Sequence, residues 1–367
     1  MWNPVGHDAA PETPATHQAP TPVVPVRLRV DGVHRVLWLK LEEYNPYGSL
    51  KGRTALALWQ DVATRIDPRL GLIESTSGNL GLALAAIAAA HRVPFTAVVD
   101  PRISASLLRD VRALGARVVT VDTPDGAGGY LLNRLTYIEE RLRHEPGLVW
   151  PNQYTNDANP GAHASWTAPE LHRQTGEGPL SVLVAVSTGG TLAGFRRFAA
   201  ETRADWELVG VDVVGSAALG GTVGRRVLSG IGASRPSSFL PHGHRPTLHI
   251  TPQEAVSTCL WLHRAAGLKV GSSSGALVAA ALRLFRTSRE RTSAACLCPD
   301  GAGRYADTVY SAAWRRAHGI ADIGVGRGVD VVDPEARPRP GADPAGPDAG
   351  PGPAVGAGGT DARQVPS

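Results

Sequence analysis

The sequence predicts an α/β protein built on doubly wound parallel sheets. Short apolar runs of strand length alternate with segments whose apolar residues recur at helical spacing. The runs are apolar enough to be parallel strands covered on both faces. Every Gly/Ser-rich turn of interest stands where a strand run gives way to a helix, the place where such sheets bind ligands.

The elements follow in order. Residues 1–20, rich in Pro, Ala and Thr, lack periodicity and read as a disordered tail. VLWLKLE (36–42) is the first strand run, and after NPYGSLKGR (45–53) a helix is expected to start near Lys51. GLIEST (71–76) is a strand that passes through STSGNLG (75–81) into the helix LGLALAAIAAAH (80–91). PFTAVVD (94–100) with SASLLRDVRALG (104–115), then ARVVTVD (116–122) with YLLNRLTYIEERLRH (130–144), repeat the unit. SVLVAVS (181–187) leads through TGGT into TLAGFRRFAAE (191–201), and WELVGVDVV (206–214) precedes PQEAVSTCLWLHRAAG (252–267). VGSSSGALVAAAL (270–282) opens the helix ALVAAALRLFRTS (276–288), and AACLCPD (294–300) is the last strand. From about 325 to Ser367, Pro, Gly and Ala dominate and a second disordered tail is expected; no internal repeat lies between the tails.

Composition excludes several classes. At 367 residues with 43% apolar content, the chain can build one large or two medium cores. A net charge of +4 without a basic run argues against a nucleic-acid partner. No run approaches the ~20 apolar residues of a membrane span, and no signal-peptide core opens the chain. Cys259, Cys296 and Cys298 are too few and too poorly spaced for a disulfide framework or a zinc site, so no metal is expected and the compartment expected is the cytoplasm.

Four junctions can carry chemistry. Thr188, Gly189, Gly190 and Thr191 join amides, hydroxyls and a helix N-terminus into a phosphate cradle. Neither GxGxxG nor GKS/T is present, so the cradle suits a small monophosphate better than a nucleotide; an ordinary glycine turn reads the same way in isolation. Thr76, Ser77 and Asn79, at the start of a helix, can seat a carboxylate or simply cap that helix. Ser273 and Ser274 stand at a third junction, where capping is again the plain alternative, and Asp300 ends the last strand. Lys51 is one of three lysines in a chain that otherwise uses arginine. At a helix start its charge opposes the dipole, but a desolvated lysine there has a lowered pKa and can form a Schiff base. A phosphate cradle, a carboxylate seat and an imine-forming lysine together describe a pyridoxal phosphate enzyme acting on an amino acid.

These residues resemble the cysteine synthase and cystathionine β-synthase family, the fold-type II pyridoxal phosphate enzymes. NPYGSLKGR resembles its NPxxSxKxR lysine motif, STSGNLG its substrate loop, STGGT its phosphate loop, GSSSGA its pyridine loop, and NQYTNDANPGAHASWTAPEL (152–171) its NQ(F/Y)xNxxNxxxH…T…E(I/L) segment. The likeness spans roughly residues 21 to 315 in consistent order. It implies a large cofactor domain (21–55 and 152–324), a small mobile substrate domain (56–151), and the cofactor in the cleft between them. It also implies that Lys51 carries the cofactor and moves the Cα proton, and that Asn79 bonds the phenolic oxygen. Ser187 and Thr188 to Thr191 would hold the phosphate, and Ser273 the pyridine nitrogen. Thr76, Ser77, Gly78 and Gln153 would hold the substrate carboxylate.

Departures from the family pattern point to one branch. Leu80 replaces a Thr usual after SGN, Ser187 replaces a Gly before TGGT, position 154 is Tyr, and Gly52 follows the lysine where acidic residues are common. With GGYLLNR (128–134), GIGASR (230–235) and PDGAGRYADTVY (299–310), these resemble the SbnA-like enzymes of 2,3-diaminopropionate pathways, which serve siderophores and peptide antibiotics. The resemblance implies a β-replacement through an aminoacrylate, joining O-phospho-L-serine and L-glutamate into N-(1-amino-1-carboxy-2-ethyl)-L-glutamate. Arg134, Tyr154, Ser187 and Arg235 are then the candidates for the extra anionic groups. It further implies a homodimer and an ornithine-cyclodeaminase-like dehydrogenase as pathway partner. The alternatives are a cysteine synthase using sulfide with O-acetyl- or O-phosphoserine, and a non-catalytic scaffold that keeps the fold. His163 is expected to be structural.

Overall fold

The structure is a computed structural model and describes residues 19–126 and 129–332. A hairpin of β1 (Val23–Val30) and β2 (Val33–Leu41) opens the chain, followed by α1 (Lys51–Val62). A compact set comes next: β3 (Leu72–Ser75), α2 (Asn79–Ala90), β4 (Phe95–Val99), α3 (Ala105–Ala113), β5 (Arg117–Thr120) and α4 (Leu131–His144). The chain then returns through α5 (Ala158–Ala162), a π-helical stretch (His163–Thr167) and α6 (Ala168–Thr175). The remaining elements are β6 (Leu180–Ala185), α7 (Gly190–Thr202), β7 (Trp206–Val213), β8 (Thr247–Ile250), α8 (Pro252–Ala266), α9 (Ser272–Thr287), β9 (Ser293–Cys298), α10 (Ala312–Ala317) and β10 (Val329–Val331).

Two sheets result. The larger runs β10-β1-β2-β9-β6-β7-β8 and the smaller β3-β4-β5. The small sheet is parallel, with α1, α2 and α3 on one face and α4 packed through Ile138 on the other. The large sheet carries α8 and α9 on one face, through Val256, Leu277 and Phe285, and α6 and α7 on the other, through Leu171, Leu192 and Phe195. Both sheets are therefore wound on two faces, as expected. One correction applies: the large sheet is mixed, because β1 pairs antiparallel with both β2 and β10. Its edge is built from a hairpin, which needs no crossover helix.

A second correction concerns the C-terminal side. A disordered tail was expected from 325, yet residues 325–332 form turns and β10, with Val329 buried against β1. Three residues suffice because they complete a hydrogen-bonding edge that already exists. Most of the expected N-terminal tail, residues 1–18, and residues 333–367 lie outside the described residues. The boundary expected after residue 55 falls inside α1, whose Ala55, Leu56, Leu58, Trp59 and Val62 join the core of the small sheet. Among the described residues no helix is long and apolar enough to cross a membrane.

Candidate active site

Lys51 is the first residue of α1, behind a tight turn that the sequence itself closes. Asn45 Oδ1 accepts from the Tyr47 amide at 3.1 Å, and Gly48 takes a φ of +70°, a conformation that suits glycine. The turn is fastened to the end of β9, where the Leu50 amide donates to Pro299 O at 2.8 Å and Ser49 bridges Asp300. Burial strips water from the Lys51 ammonium and pushes its pKa down to about 8. Gly52 now has a physical reason: a Cβ there would collide with Asn45 Oδ1 and lie 2.7 Å from the Tyr47 ring. Gly52→Asp is expected to open this turn, cost about 1–3 kcal/mol of stability and slow turnover; urea unfolding and steady-state kinetics check it.

The other junctions meet this turn. Asn79 opens α2 and donates from Nδ2 to Asp300 Oδ2 at 2.7 Å, while its Oδ1 accepts from Arg304. Tyr305 donates to the same Asp300 oxygen at 2.9 Å. Burial raises the Asp300 carboxyl above the usual carboxylate range. Ser272, Ser273 and Ser274 form the first turn of α9 instead of capping it, since Gly271 is the N-cap. The Ser273 hydroxyl is fully buried and has no hydrogen-bond partner among the described residues.

The Ser187–Thr191 turn joins β6 to α7. Gly189 has a φ of +89° and Gly190 starts α7, so the loop presents helix-terminal amides. A Cβ on Gly190 would collide with the side-chain amide of Asn159. Asn159 Nδ2 donates to Thr188 Oγ1 at 3.2 Å and to Gln153 O at 2.7 Å. Thr191 Oγ1 lies 3.2 Å from His163 Nε2, which also meets Thr54 of α1 at 3.1 Å. Burial and the charges of Lys51 and Arg53 hold the His163 imidazole well below its usual range, so it is neutral packing between α1 and the loop.

Residues 76–78 join β3 to α2, and Gln153 and Tyr154 pack beside them. Thr76 is buried with its methyl near Gly81, and Gly78 is the extended N-cap of α2. The Ser77 hydroxyl donates to Asp100 Oδ2 at 2.8 Å and accepts from Arg134 Nη1 at 2.9 Å. Arg134 is itself buried and 3.6 Å from Asp100, so it orients Ser77. Gln153 donates to Ser75 O at 2.8 Å, and Tyr154 to the same oxygen at 3.4 Å. The Arg235 guanidinium lies over the Tyr154 ring, 5.3 Å from its centroid. Tyr154, Ser187, Thr188 and Arg235 line one small cavity, and the Ser187 hydroxyl donates to Gly232 O at 3.1 Å.

A desolvated amine, a buried hydroxyl without a partner and a glycine cradle that tolerates no side chain fit pyridoxal phosphate. Residues 15–300 match the family described as "Pyridoxal-phosphate dependent enzyme". The chain belongs to that family. As a pyridoxal-phosphate dependent enzyme it has relatives over most of its length. It is 37% identical over 300 residues to the N-(2-amino-2-carboxyethyl)-L-glutamate synthase of Ralstonia nicotianae, covering 80% of this chain and 88% of that one. The same-named protein of Cupriavidus metallidurans is 38% identical over 301 residues, with the same coverage. The crystal structure of an O-acetylserine dependent cystathionine β-synthase from Helicobacter pylori superposes with a TM-score of 0.72 at 30% identity, covering 80% of this chain and 96% of that one.

Several residues of this pyridoxal-phosphate enzyme escaped the sequence reading. Asp100 acts on the site only through tertiary contacts, and Arg304 and Tyr305 stand within the quoted PDGAGRYADTVY segment, which gives them no role by itself. Asn159 stands within the quoted NQY segment and links Gln153 to Thr188. Glu74 carried a usable signal, a charged residue inside an otherwise apolar strand, and it is fully buried.

Proposed function

We propose that this enzyme joins O-phospho-L-serine to the amine of L-glutamate, forming N-(1-amino-1-carboxy-2-ethyl)-L-glutamate and releasing inorganic phosphate. The Cβ–O bond breaks, a Cβ–N bond forms, the oxygen leaves with phosphate, and the amine gives up a proton. When bound, pyridoxal phosphate supplies an electron sink that lets a proton leave Cα and a group leave Cβ. The chain supplies the rest. Lys51, in its neutral form, takes the Cα proton. Gln153, Thr76 and Ser77 hold the α-carboxylate, Ser77 through its backbone amide, because its hydroxyl donates to Asp100 and is fixed there by Arg134. The amides and hydroxyls of Ser187 to Thr191 hold the cofactor phosphate. Ser273 gives the pyridine nitrogen a neutral hydroxyl, and Asn79, fixed by Asp300 and Arg304, has a second N–H for the phenolic oxygen.

One observation favours glutamate over sulfide. Arg235 shares a cavity beside the glycine loop with Tyr154 and Ser187, and its guanidinium would suit an incoming dicarboxylate, since the Tyr154 and Ser187 hydroxyls already donate to Ser75 O and Gly232 O. Sulfide needs no guanidinium. The names of the two relatives support the same reading. The further parts of the proposal, namely a homodimer, a cytoplasmic setting, a dehydrogenase that consumes the product and a siderophore or antibiotic as destination, rest on the family resemblance.

Purified holoenzyme given phosphoserine and glutamate is expected to release phosphate and form the conjugate, read by mass spectrometry. Turnover with sulfide alone would make it a cysteine synthase. Arg235→Ala is expected to raise the KM for glutamate about tenfold with little effect on the KM for phosphoserine, the loss expected for one charge-assisted hydrogen bond.

A further inference from the structure

Glu74 is the penultimate residue of β3, two before Thr76, and no part of the mechanism above uses it. Its side chain is fully buried. Oε1 accepts from the Ser75 amide at 2.9 Å and from Trp150 Nε1 at 3.1 Å, and Oε2 accepts from the Gln153 amide at 3.2 Å. Asn152, with a φ of +55°, makes the turn that brings the Gln153 amide onto the carboxylate. Each of these three partners is a donor, so the position calls for a group that only accepts, and among side chains that is an ionised carboxylate. Glutamine would turn an N–H toward another N–H.

We propose that Glu74 is a positioning residue: its carboxylate clamps the Trp150–Gln153 turn to the end of β3. The clamp holds Gln153 in register with Thr76 and Ser77 for the substrate carboxylate. This rests on the proposed role of those three residues as the seat. The clamp reaches further along Gln153 O to Asn159 and on to Thr188, so the seat and the phosphate loop share one hydrogen-bond chain. Burial raises the Glu74 carboxyl to about 7, which marks the clamp as costly to stability in its charged form. A group kept merely to glue β3 to the turn would gain nothing from that cost.

The groups facing Glu74 do not obscure its titration. Burial raises the Tyr154 phenol, so it stays neutral near pH 7, and Arg134 acts on that phenol as a fixed charge. The phosphate of phosphoserine also ionises near pH ~6, but equally for every variant.

The test compares holoenzyme with Glu74→Gln, Trp150→Phe and Gln153→Ala. With phosphoserine, Glu74→Gln is expected to raise KM about tenfold at pH 8 while kcat stays within about twofold, the effect of one unsatisfied buried N–H at the seat. The urea midpoint at pH 8 should not fall, because removing the desolvated charge offsets the unsatisfied N–H. Wild-type KM should rise as pH drops through about 7, and Glu74→Gln should lose this step and keep only the substrate's own near ~6. Trp150→Phe, which keeps the carboxylate but removes one donor, should give a smaller rise in KM. If Glu74→Gln instead lowers the urea midpoint, with kcat falling and KM unchanged, Glu74 is ordinary glue and the inference fails. If Gln153→Ala raises KM but Glu74→Gln does not, the inference fails and the seat stands. If Gln153→Ala leaves KM unchanged, the seat and the inference fall together.

Discussion

Lys51→Ala should reduce turnover by about 10³-fold or more in a protein that still folds. The fold is expected to survive because the Lys51 side chain makes no hydrogen bond or ion pair among the described residues, while Arg53, two residues on, carries the ion pairs. Two functions disappear together: the covalent bond to the cofactor aldehyde and the base for the Cα proton. Lys51→Arg sharpens the test, since it keeps a cation that cannot deprotonate and cannot form that bond. Both variants should lack the mass increment that reduction of the loaded wild-type enzyme fixes on Lys51. The pKa of about 8 adds a pH signature. Cofactor uptake by the apoprotein should accelerate as pH rises through about 8, where the amine becomes neutral. Stability should move the same way: the buried lysine binds fewer protons folded than unfolded between about 8 and its ordinary value, so apoprotein stability rises with pH across that window. Lys51→Ala should flatten both curves. A variant that kept turnover would exclude Lys51 as the base.

The site was legible where it is built from contiguous chain and illegible where it is built across the fold. Strand–turn–helix junctions are local events, so the runs ending at Ser75, Ala185 and Cys298 and the helices from Asn79 and Gly190 fall close to their expected places. β1 was missed although its burial alternates along VVPVRLRV; Pro25 breaks the run for a reader looking for parallel core strands, yet β1 belongs to an antiparallel hairpin near the sheet edge. β8 and β10 are four and three residues long, too short for periodicity to register. Asn79 was read from its motif, but Asp300, which orients it, lies 221 residues away. Gly52 could not be explained from sequence, because the obstacle to a side chain is how Asn45 and Tyr47 fold back over it.

Glu170→Gln should cost about 3–5 kcal/mol, the largest stability loss expected from a single polar change here. Lys40, Glu42, Arg53 and Glu170 form a buried cluster of two cations and two anions around Thr21. Arg53 Nε and Nη2 donate to the Glu42 oxygens at 2.9 and 3.0 Å, and Nη1 donates to Glu170 Oε2 at 2.8 Å. Lys40 Nζ spends its three donors on Glu170 Oε1, Thr21 O and Gln174 Oε1. Neutralising Glu170 leaves two buried cations facing one carboxylate. The urea midpoint should fall with the slope unchanged, the mark of lost stability in an otherwise intact fold. Lys40→Met with Glu170→Leu restores the balance by leaving Arg53 with Glu42, so the double variant should be more stable than Glu170→Gln alone. Equal losses in the two would mean that packing, not charge balance, governs the cluster. The consequence reaches the chemistry because Arg53 sits two residues after Lys51 and ties the first turn of α1 to Glu42 and to α6. A loosened cluster should therefore lower kcat as well, through a less well-placed lysine. In this chain lysine serves two unlike ends: at position 40 a compact head with three donors, and at position 51 a neutral amine that arginine cannot supply.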